Sequence, residues 1–416
     1  MGKTFDFNKM PIADIVNDII IDAVNKGASD IHFDPHDEVL KIRIRVDGIL
    51  QNYADVPNLF KNNLITRIKI ISGMNITETR LPQDGAIKQV LNNLNLDMRV
   101  SSLPTKKGEK IVIRILDYSM SLKGIEYLYF NESNYQKILK MINNPNGIIL
   151  VTGATGSGKS TTVYSFLQKL NVEGVNIITV EDPVEMDIEG ISQVQVNSDI
   201  GLDFSTVLRS ILRQDPNVIM IGEIRDGETA RIAVRASITG HLVLSTLHTN
   251  NSLNTIERLL DMDVERYLLA SALTGIVSQK LARKLCPKCR VKRETTPYEK
   301  KLFKAVIGQD VDFIYVAKGC PECSSGYRGR IAIHEVLLIN QDIRDAISDG
   351  IKKEKLRELV YNSDVITLLQ DGLYKVVGGF TTFEEILKLI ELDDEINDKS
   401  EALKNVAKET FSNNIS

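Results

Sequence analysis

Three groups of residues have the types and spacing to do chemistry. The first is Gly153-Ala154-Thr155-Gly156-Ser157-Gly158-Lys159-Ser160, which fits the phosphate-loop pattern GxxxxGK[ST] and runs on into Thr161. Its glycines let backbone N–H groups turn inward around phosphate oxygens, where a Cβ would intrude. An apolar strand, Ile148–Val151, precedes the loop and a helix is predicted from Ser160, so a positive helix end faces the ligand. Lys159 would reach the β- and γ-phosphates, and the Ser160 hydroxyl would ligate Mg²⁺. The pattern predicts a bound nucleotide without saying what is done with it.

The second group lies downstream of that loop. Two apolar runs end in acids, IITVEDPVE (Ile177–Glu185) and VIMIGEIRD (Val218–Asp226). Acids at the carboxyl ends of parallel strands sit beside a bound ligand, where carboxylates hold Mg²⁺ or activate water. Acids after strands also cap helices, which is the plain alternative. A third run, Leu242–Thr246, has His241 before it and His248 just after it. A histidine at the carboxyl end of such a strand can sense a γ-phosphate, although a lone histidine is more often structural.

The third group uses every cysteine in the chain. Cys286-Pro287-Lys288-Cys289 and Cys320-Pro321-Glu322-Cys323 are two CxxC turns. Each turn puts two thiolates on one side, and two turns complete a tetrahedral S₄ site for a structural zinc. Arg290–Gly319, between them, is longer than in common zinc ribbons and predicts a protruding excursion. Arg283, Lys284, Lys288 and Arg290 nearby read as a solvated basic surface rather than a nucleic-acid contact.

The elements that position these groups follow from periodicity. Ile12–Val24 has helical spacing, KIRIRV alternates as a strand, and Asp47-Gly48 is a hairpin signal. With a helix over Leu59–Met74 and further strands, residues 1–117 read as an N-terminal α/β domain. Residues 118–134 have weak periodicity and read as a linker. Short, fully apolar runs over 135–280 predict an open parallel sheet, with a helical stretch from Leu253 to Lys284 at its end. The four-cysteine module is expected over 281–330, a helical region over 331–390, and a charged tail over 391–416.

Composition narrows the class. The 416 residues are 43% hydrophobic and 25% charged, an ordinary globular balance that excludes a disordered or fibrous chain. A net charge of -4 gives no whole-chain case for wrapping nucleic acid. No apolar run approaches a membrane span, and MGKTFDFNKMPIADIV is not a signal peptide, so a cytoplasmic setting is expected. That setting disfavours disulfides at the cysteines.

Gly153–Thr161, IITVEDPVE, VIMIGEIRDGETA (Val218–Ala230) and TGHLVLSTLHTN (Thr239–Asn250) resemble the four signature boxes of the secretion ATPases. These are hexameric motors of type II secretion and type IV pilus assembly. GASDIHFDP (Gly27–Pro35), RLPQDG (Arg80–Gly85) and RVSSLP (Arg99–Pro104) extend the likeness upstream, and it covers roughly residues 11–390. The resemblance implies a PAS-like N-terminal α/β domain, then a RecA-like P-loop domain with an embedded zinc module and a helical end. It implies ATP, Mg²⁺ and structural Zn²⁺ as cofactors. By position, Glu185 resembles the carboxylate that activates water, and Glu223 the acid that holds Mg²⁺ through water. His248 and His241 would report γ-phosphate state, and Arg99 and Arg114 match arginines that close the site from the N-terminal domain. Many members carry a basic residue after PQDG, where this chain has Ala86; one phosphate contact would then be missing, or replaced by Arg80 or Lys88.

The expected function is therefore a cytoplasmic ATPase that powers pilus, pseudopilus or type II secretion assembly. It would act as a ring on an inner-membrane platform protein, peripheral to the membrane and without direct nucleic-acid contact. The likeness begins by Pro11, so a short form without the extra N-terminal domain of longer relatives is expected. A four-cysteine insert resembles assembly and secretion motors rather than retraction motors. DNA-uptake or conjugation-type translocation and pilus retraction are the alternatives, while a switch GTPase is weakened because no guanine-reading NKxD element is recognised.

Overall fold

A computed structural model describes residues 5, 7, 9–91, 94–116 and 124–390. The expected charged tail and the first part of the expected linker lie outside the described residues. The chain divides into two compact units, Met1–Asp117 and Tyr118–Ser416.

The first unit contains α1 (Ile12–Asn25), β1 (Ala28–Pro35), β2 (Val39–Val46), β3 (Ile49–Pro57), α2 (Asn58–Ile71), β4 (Gln83–Leu91), β5 (Leu94–Thr105) and β6 (Gly108–Leu116). The strands form an antiparallel sheet in the order β3-β2-β1-β6-β5-β4. Asp47 and Gly48 both take positive φ, 50° and 84°, as the two-residue hairpin turn requires. Period-2 alternation decides the faces: Leu40, Ile42 and Ile44 are buried with Ile31, Phe33, Ile111 and Ile113 beneath α1 and α2. Lys41, Arg43 and Arg45 therefore share the opposite, charged face with Asp30 and Asp34. Arg43 reaches Asp34 at 2.7 Å, and Arg45 lies 3.5 Å from Asp30. This is a mixed α/β unit.

The second unit begins with α3 (Glu132–Ile142), β7 (Gly147–Thr152), α4 (Lys159–Leu170), β8 (Ile177–Glu181), β9 (Ser192–Gln195), α5 (Phe204–Ile211) and β10 (Val218–Ile221). It continues through α6 (Gly227–Ile238), β11 (Leu242–Leu247), α7 (Ser252–Asp261), α8 (Arg266–Ala272) and β12 (Leu273–Leu285). β7, β8, β10 and β11 are fully buried runs, as strands covered on both faces must be. The seven-stranded sheet has the order β15-β12-β7-β11-β10-β8-β9, parallel throughout except for β15 (Tyr327–Leu338).

Two expectations are corrected here. The helical stretch expected from Leu253 to Lys284 ends in the strand β12, buried at every position from Leu273 to Gln279. Its apolar residues have helical spacing, but pairing with β7 on one side and β15 on the other overrides that spacing. The described part of the expected linker is also no free connector. Ile125 is buried in one core with Ile149, Val163 and Val277, Phe130 packs against that core, and α3 begins inside the expected linker at Glu132.

Between β12 and β15 lie β13 (Val291–Glu294), α9 (Pro297–Ile307) and β14 (Phe313–Val316). α10 (Gln341–Asp349), α11 (Lys353–Tyr361), α12 (Leu368–Val377) and α13 (Phe383–Ile390) follow. The expected excursion does not stand alone: Leu302, Phe303 and Ile314 share a core with Leu369, Leu373 and Phe383.

Candidate nucleotide site and four-cysteine centre

The phosphate loop connects the end of β7 to the start of α4, and its glycines take conformations that L side chains rarely adopt. Gly153, Gly156 and Gly158 have φ of 149°, 79° and 92°. A Cβ on Gly153 would meet the Gln279 carbonyl oxygen at 2.5 Å. Lys159 sits at the first turn of α4, and its Nζ donates to the carbonyls of Gly153 at 2.8 Å and Ala154 at 3.2 Å. Burial lowers the pKa of this amine, against the nearby charge of Glu223. Ala154, Thr155, Gly156 and Ser160 are exposed along the same shelf.

Parallel pairing brings the downstream boxes to that end of the sheet. Glu223 follows β10 and His248 follows β11, and His248 Nε2 lies 3.3 Å from Glu223 Oε2. Arg225 bridges Glu223 at 2.5 Å and Asp182, after β8, at 3.3 Å. Burial opposes ionisation of Glu223, but Arg225 and then His248 outweigh it and hold the carboxyl below its ordinary value. Thr246 Oγ1 donates to the Gly222 carbonyl at 2.7 Å, fixing the β10 exit against β11. A cavity of about 860 Å³, lined in part by Asp182, Arg225 and Phe204, adjoins this acidic side rather than the phosphate loop.

Glu185 lies on the loop after β8, whose anchor is buried. Its N–H donates to Tyr164 Oη at 3.1 Å, and the Tyr164 hydroxyl donates to Glu181. Glu181 also accepts from Thr179 at 2.6 Å and from Gln193 at 3.0 Å, so its buried carboxylate is fully engaged. Not every acid in the two clusters belongs to the site. Asp226 caps α6, accepting from the Thr229 N–H at 2.8 Å, as the plain alternative holds.

Other expected residues lie elsewhere. His241 precedes the six-residue β11, so it is about 20 Å from His248 at the other end of the sheet. Its Nδ1–H donates to the Ala236 carbonyl at 2.8 Å, a structural role. Arg99 and Arg114 belong to the first unit, where they face each other across β5 and β6. Arg114 lies 3.2 Å from Asp30, and Ala86 sits opposite Arg99 on β4. Both suggested replacements for a basic residue at 86 have partners of their own: Arg80 pairs with Glu78 at 2.9 Å, and Lys88 with Asp97 at 3.8 Å.

The four cysteines converge. All four Sγ atoms lie within 4.8 Å of one another, with Cys289–Cys323 at 3.7 Å and Cys320–Cys323 at 3.6 Å. A tetrahedral S₄ site with Zn–S bonds of about 2.3 Å puts its sulfurs about 3.8 Å apart, so the donor set fits zinc. The Cys286 N–H donates to the Gly326 carbonyl at 2.9 Å, which ties the first turn to the start of β15. The surrounding basic residues are engaged within the chain. Arg283 grips Glu385 with two bonds, Lys284 donates to Tyr129 Oη at 2.7 Å, Lys288 pairs with Glu322 at 2.5 Å, and Arg290 donates to the Gly379 carbonyl.

Gln279, which sequence reasoning did not single out, also reaches the phosphate loop. Its amide, on β12, touches the phosphate loop from outside the GxxxxGK[ST] pattern. A polar residue within an apolar run was the only signal for it.

A phosphate loop on a parallel sheet, with carboxylates and a histidine gathered at the same strand ends, defines a P-loop ATPase. The chain belongs to the type II/IV secretion system protein family, whose pattern matches residues 6–388, and it is an ATPase of that family. It is 44% identical over 386 residues to the putative type II secretion system protein E of Escherichia coli (strain K12), covering 91% of this chain and 77% of that protein. It is 42% identical to the type II secretion system ATPase E of Vibrio cholerae, over 91% of this chain and 75% of that one. The type IV pilus assembly ATPase PilB of Thermus thermophilus is also 42% identical, over 89% of this chain and 42% of its own length. The crystal structure of the pilus retraction motor PilT with bound ADP is similar at a TM-score of 0.62 and 26% identity, covering 90% of this chain and 96% of that one. The fold is also that of the Legionella pneumophila ATPase DotB, at a TM-score of 0.69 and 20% identity over 93% of this chain and 98% of that one. Among the described residues, no helix is long and apolar enough to cross a membrane.

Proposed function

We propose that this ATPase is the motor of a type II secretion or type IV pilus assembly machine. It would work in the cytoplasm as a ring against an inner-membrane platform protein. The observation that carries the reading is the gathering of Lys159, Glu223, Arg225, Asp182 and His248 at one end of the parallel sheet.

In this reading the phosphate loop binds the β- and γ-phosphates, and Ser160 directly and Glu223 through water would hold Mg²⁺. Glu223 is held ionised by Arg225 and His248, as a metal-binding carboxylate must be. Glu185 orients and deprotonates the attacking water. His248, in contact with Glu223, passes the γ-phosphate state to the segment after β11. Arg99 and Arg114 would supply positive charge from the PAS-like first unit. Hydrolysis is thereby coupled to rigid-body motion of the two units. Resemblance to the assembly motors implies six subunits. The four cysteines hold a structural zinc, which fixes the turn between β12 and β15 and takes no part in hydrolysis.

The cysteine cluster favours assembly or secretion over retraction, because it matches the insert of the assembly motors. The test compares ATPase stimulation of the full chain by a cytoplasmic platform fragment, by anionic vesicles and by DNA. Stimulation by the platform fragment supports the proposal. Stimulation by DNA alone would replace it with a translocation motor.

A further inference from the structure

We infer that Gln279 is a positioning residue for ATP binding: it sets the peptide plane that aims the Gly158 N–H into the phosphate loop. The inference rests on the reading of residues 153–161 as the phosphate site.

Gln279 is 1% exposed and lies on β12, outside the loop it serves. Its Nε2 donates to the Ser157 carbonyl at 2.7 Å, and its Oε1 accepts from Thr162 Oγ1 at 2.8 Å. One amide thus bonds the loop just before Gly158 and the first turn of α4 just after it. The amide orientation is fixed by chemistry. The Ser157 carbonyl can only accept, so the NH₂ end must face it, and the hydroxyl of Thr162 takes the other end.

The consequence follows from the planarity of the peptide bond. In a trans peptide the carbonyl and the next N–H point in opposite directions. A Ser157 carbonyl drawn outward to Gln279 therefore leaves the Gly158 N–H pointing to the inside of the loop, where the phosphate-binding donors must converge. Gly158 has φ of 92°, and a Cβ there would come within 3.1 Å of Gln279 Nε2, so loop and amide are packed together.

The same strand braces the loop entrance. Ser278 Oγ lies 3.0 Å from Thr152 Oγ1, the last residue of β7. That hydroxyl pair holds the strand end, whereas the Gln279 amide bonds the 157–158 peptide group of the loop itself. Without its donor, the 157–158 peptide is free to rotate, and the loop must be reordered each time a phosphate binds. The effect falls on nucleotide affinity.

The experiment measures ADP affinity and steady-state ATP hydrolysis on the full chain for wild type, Gln279→Met, Gln279→Glu and Ser278→Ala. Melting temperature and zinc content report the fold. Gln279→Met keeps the volume but has no amide. Gln279→Glu keeps the acceptor for Thr162 and, when ionised, loses the donor to Ser157. Both should weaken ADP binding about tenfold or more and raise KM by more than they lower kcat. Ser278→Ala should stay within about threefold of wild type. If wild type binds ADP and the folded Gln279 variants bind it equally well, the inference is overturned and the phosphate site stands. A loss shared equally by Ser278→Ala also overturns it, since that marks general strand packing. A folded wild type that binds no ADP would remove the phosphate site itself.

Discussion

His248 Nε2 stands 3.3 Å from Glu223 Oε2, joining the residue after β11 to the acid after β10. Strand pairing alone brings them together: Ile221 lies opposite Ser245, and each chain leaves the sheet at the same edge. His248 also helps to hold the Glu223 carboxyl below its ordinary value, after Arg225 and against burial. His248→Ala should therefore cut kcat about ten- to a hundredfold while ADP affinity stays within about threefold. The acid limb of the rate profile should move to higher pH, because the carboxyl becomes easier to protonate. Initial rates across pH, with ADP titrations, check both.

Tyr164 joins the helix after the phosphate loop to the acid loop after β8. Its hydroxyl donates to buried Glu181 and accepts from the Glu185 N–H. Tyr164→Phe leaves Glu181 with the Thr179 and Gln193 bonds but removes the bond that the Glu185 N–H donates to the Tyr164 hydroxyl. The cost to stability should be about 1–2 kcal/mol, read by denaturant unfolding. Turnover should fall further than ADP affinity, because Glu185 loses its placement and the phosphate loop does not.

Arg283 and Glu385 tie the end of β12 to α13 with two bonds, at 2.9 Å and 2.5 Å. Burial raises the Glu385 pKa, but Arg283 outweighs it and the carboxyl is held below its ordinary value. A depressed carboxylate contributes stability above its unfolded value, about pH 4.3, and loses it as pH falls through the folded value. Glu385→Gln should lower stability by about 1–3 kcal/mol at neutral pH and flatten the acid limb of the melting profile. Melting curves from pH 7 to pH 3 check the sign.

The cysteine centre predicts one zinc per chain. Cys320→Ser or strong chelation should release it and loosen the segment from Cys286 to Cys323, exposing it to protease. β7, β8, β10 and β11 do not depend on that turn and should keep their protection. Zinc stoichiometry by elemental analysis, with hydrogen exchange on both regions, measures this.

Much of this was legible because the chemistry is local in sequence. The phosphate loop needs glycines at fixed positions, each acid box follows its own strand directly, and the CxxC turns are self-contained. KIRIRV revealed its faces through strict alternation. β12 was not legible, because Leu273, Ile276, Val277 and Leu281 have helical spacing and only pairing with β7 and β15 makes them a strand. Gln279 was hidden for the same reason, since its partners Ser157 and Thr162 are more than a hundred residues away. His241 and His248 flank one predicted strand, and the pairing of β10 with β11 places His248, not His241, beside Glu223.

In the proposed mechanism Glu185 activates water for hydrolysis of ATP bound at the phosphate loop. The most direct measurement is single-turnover ATP hydrolysis by Glu185→Gln beside its nucleotide affinity. The account predicts that ATP and ADP bind as in wild type while hydrolysis falls at least about a hundredfold. Hydrolysis at the wild-type rate would contradict it.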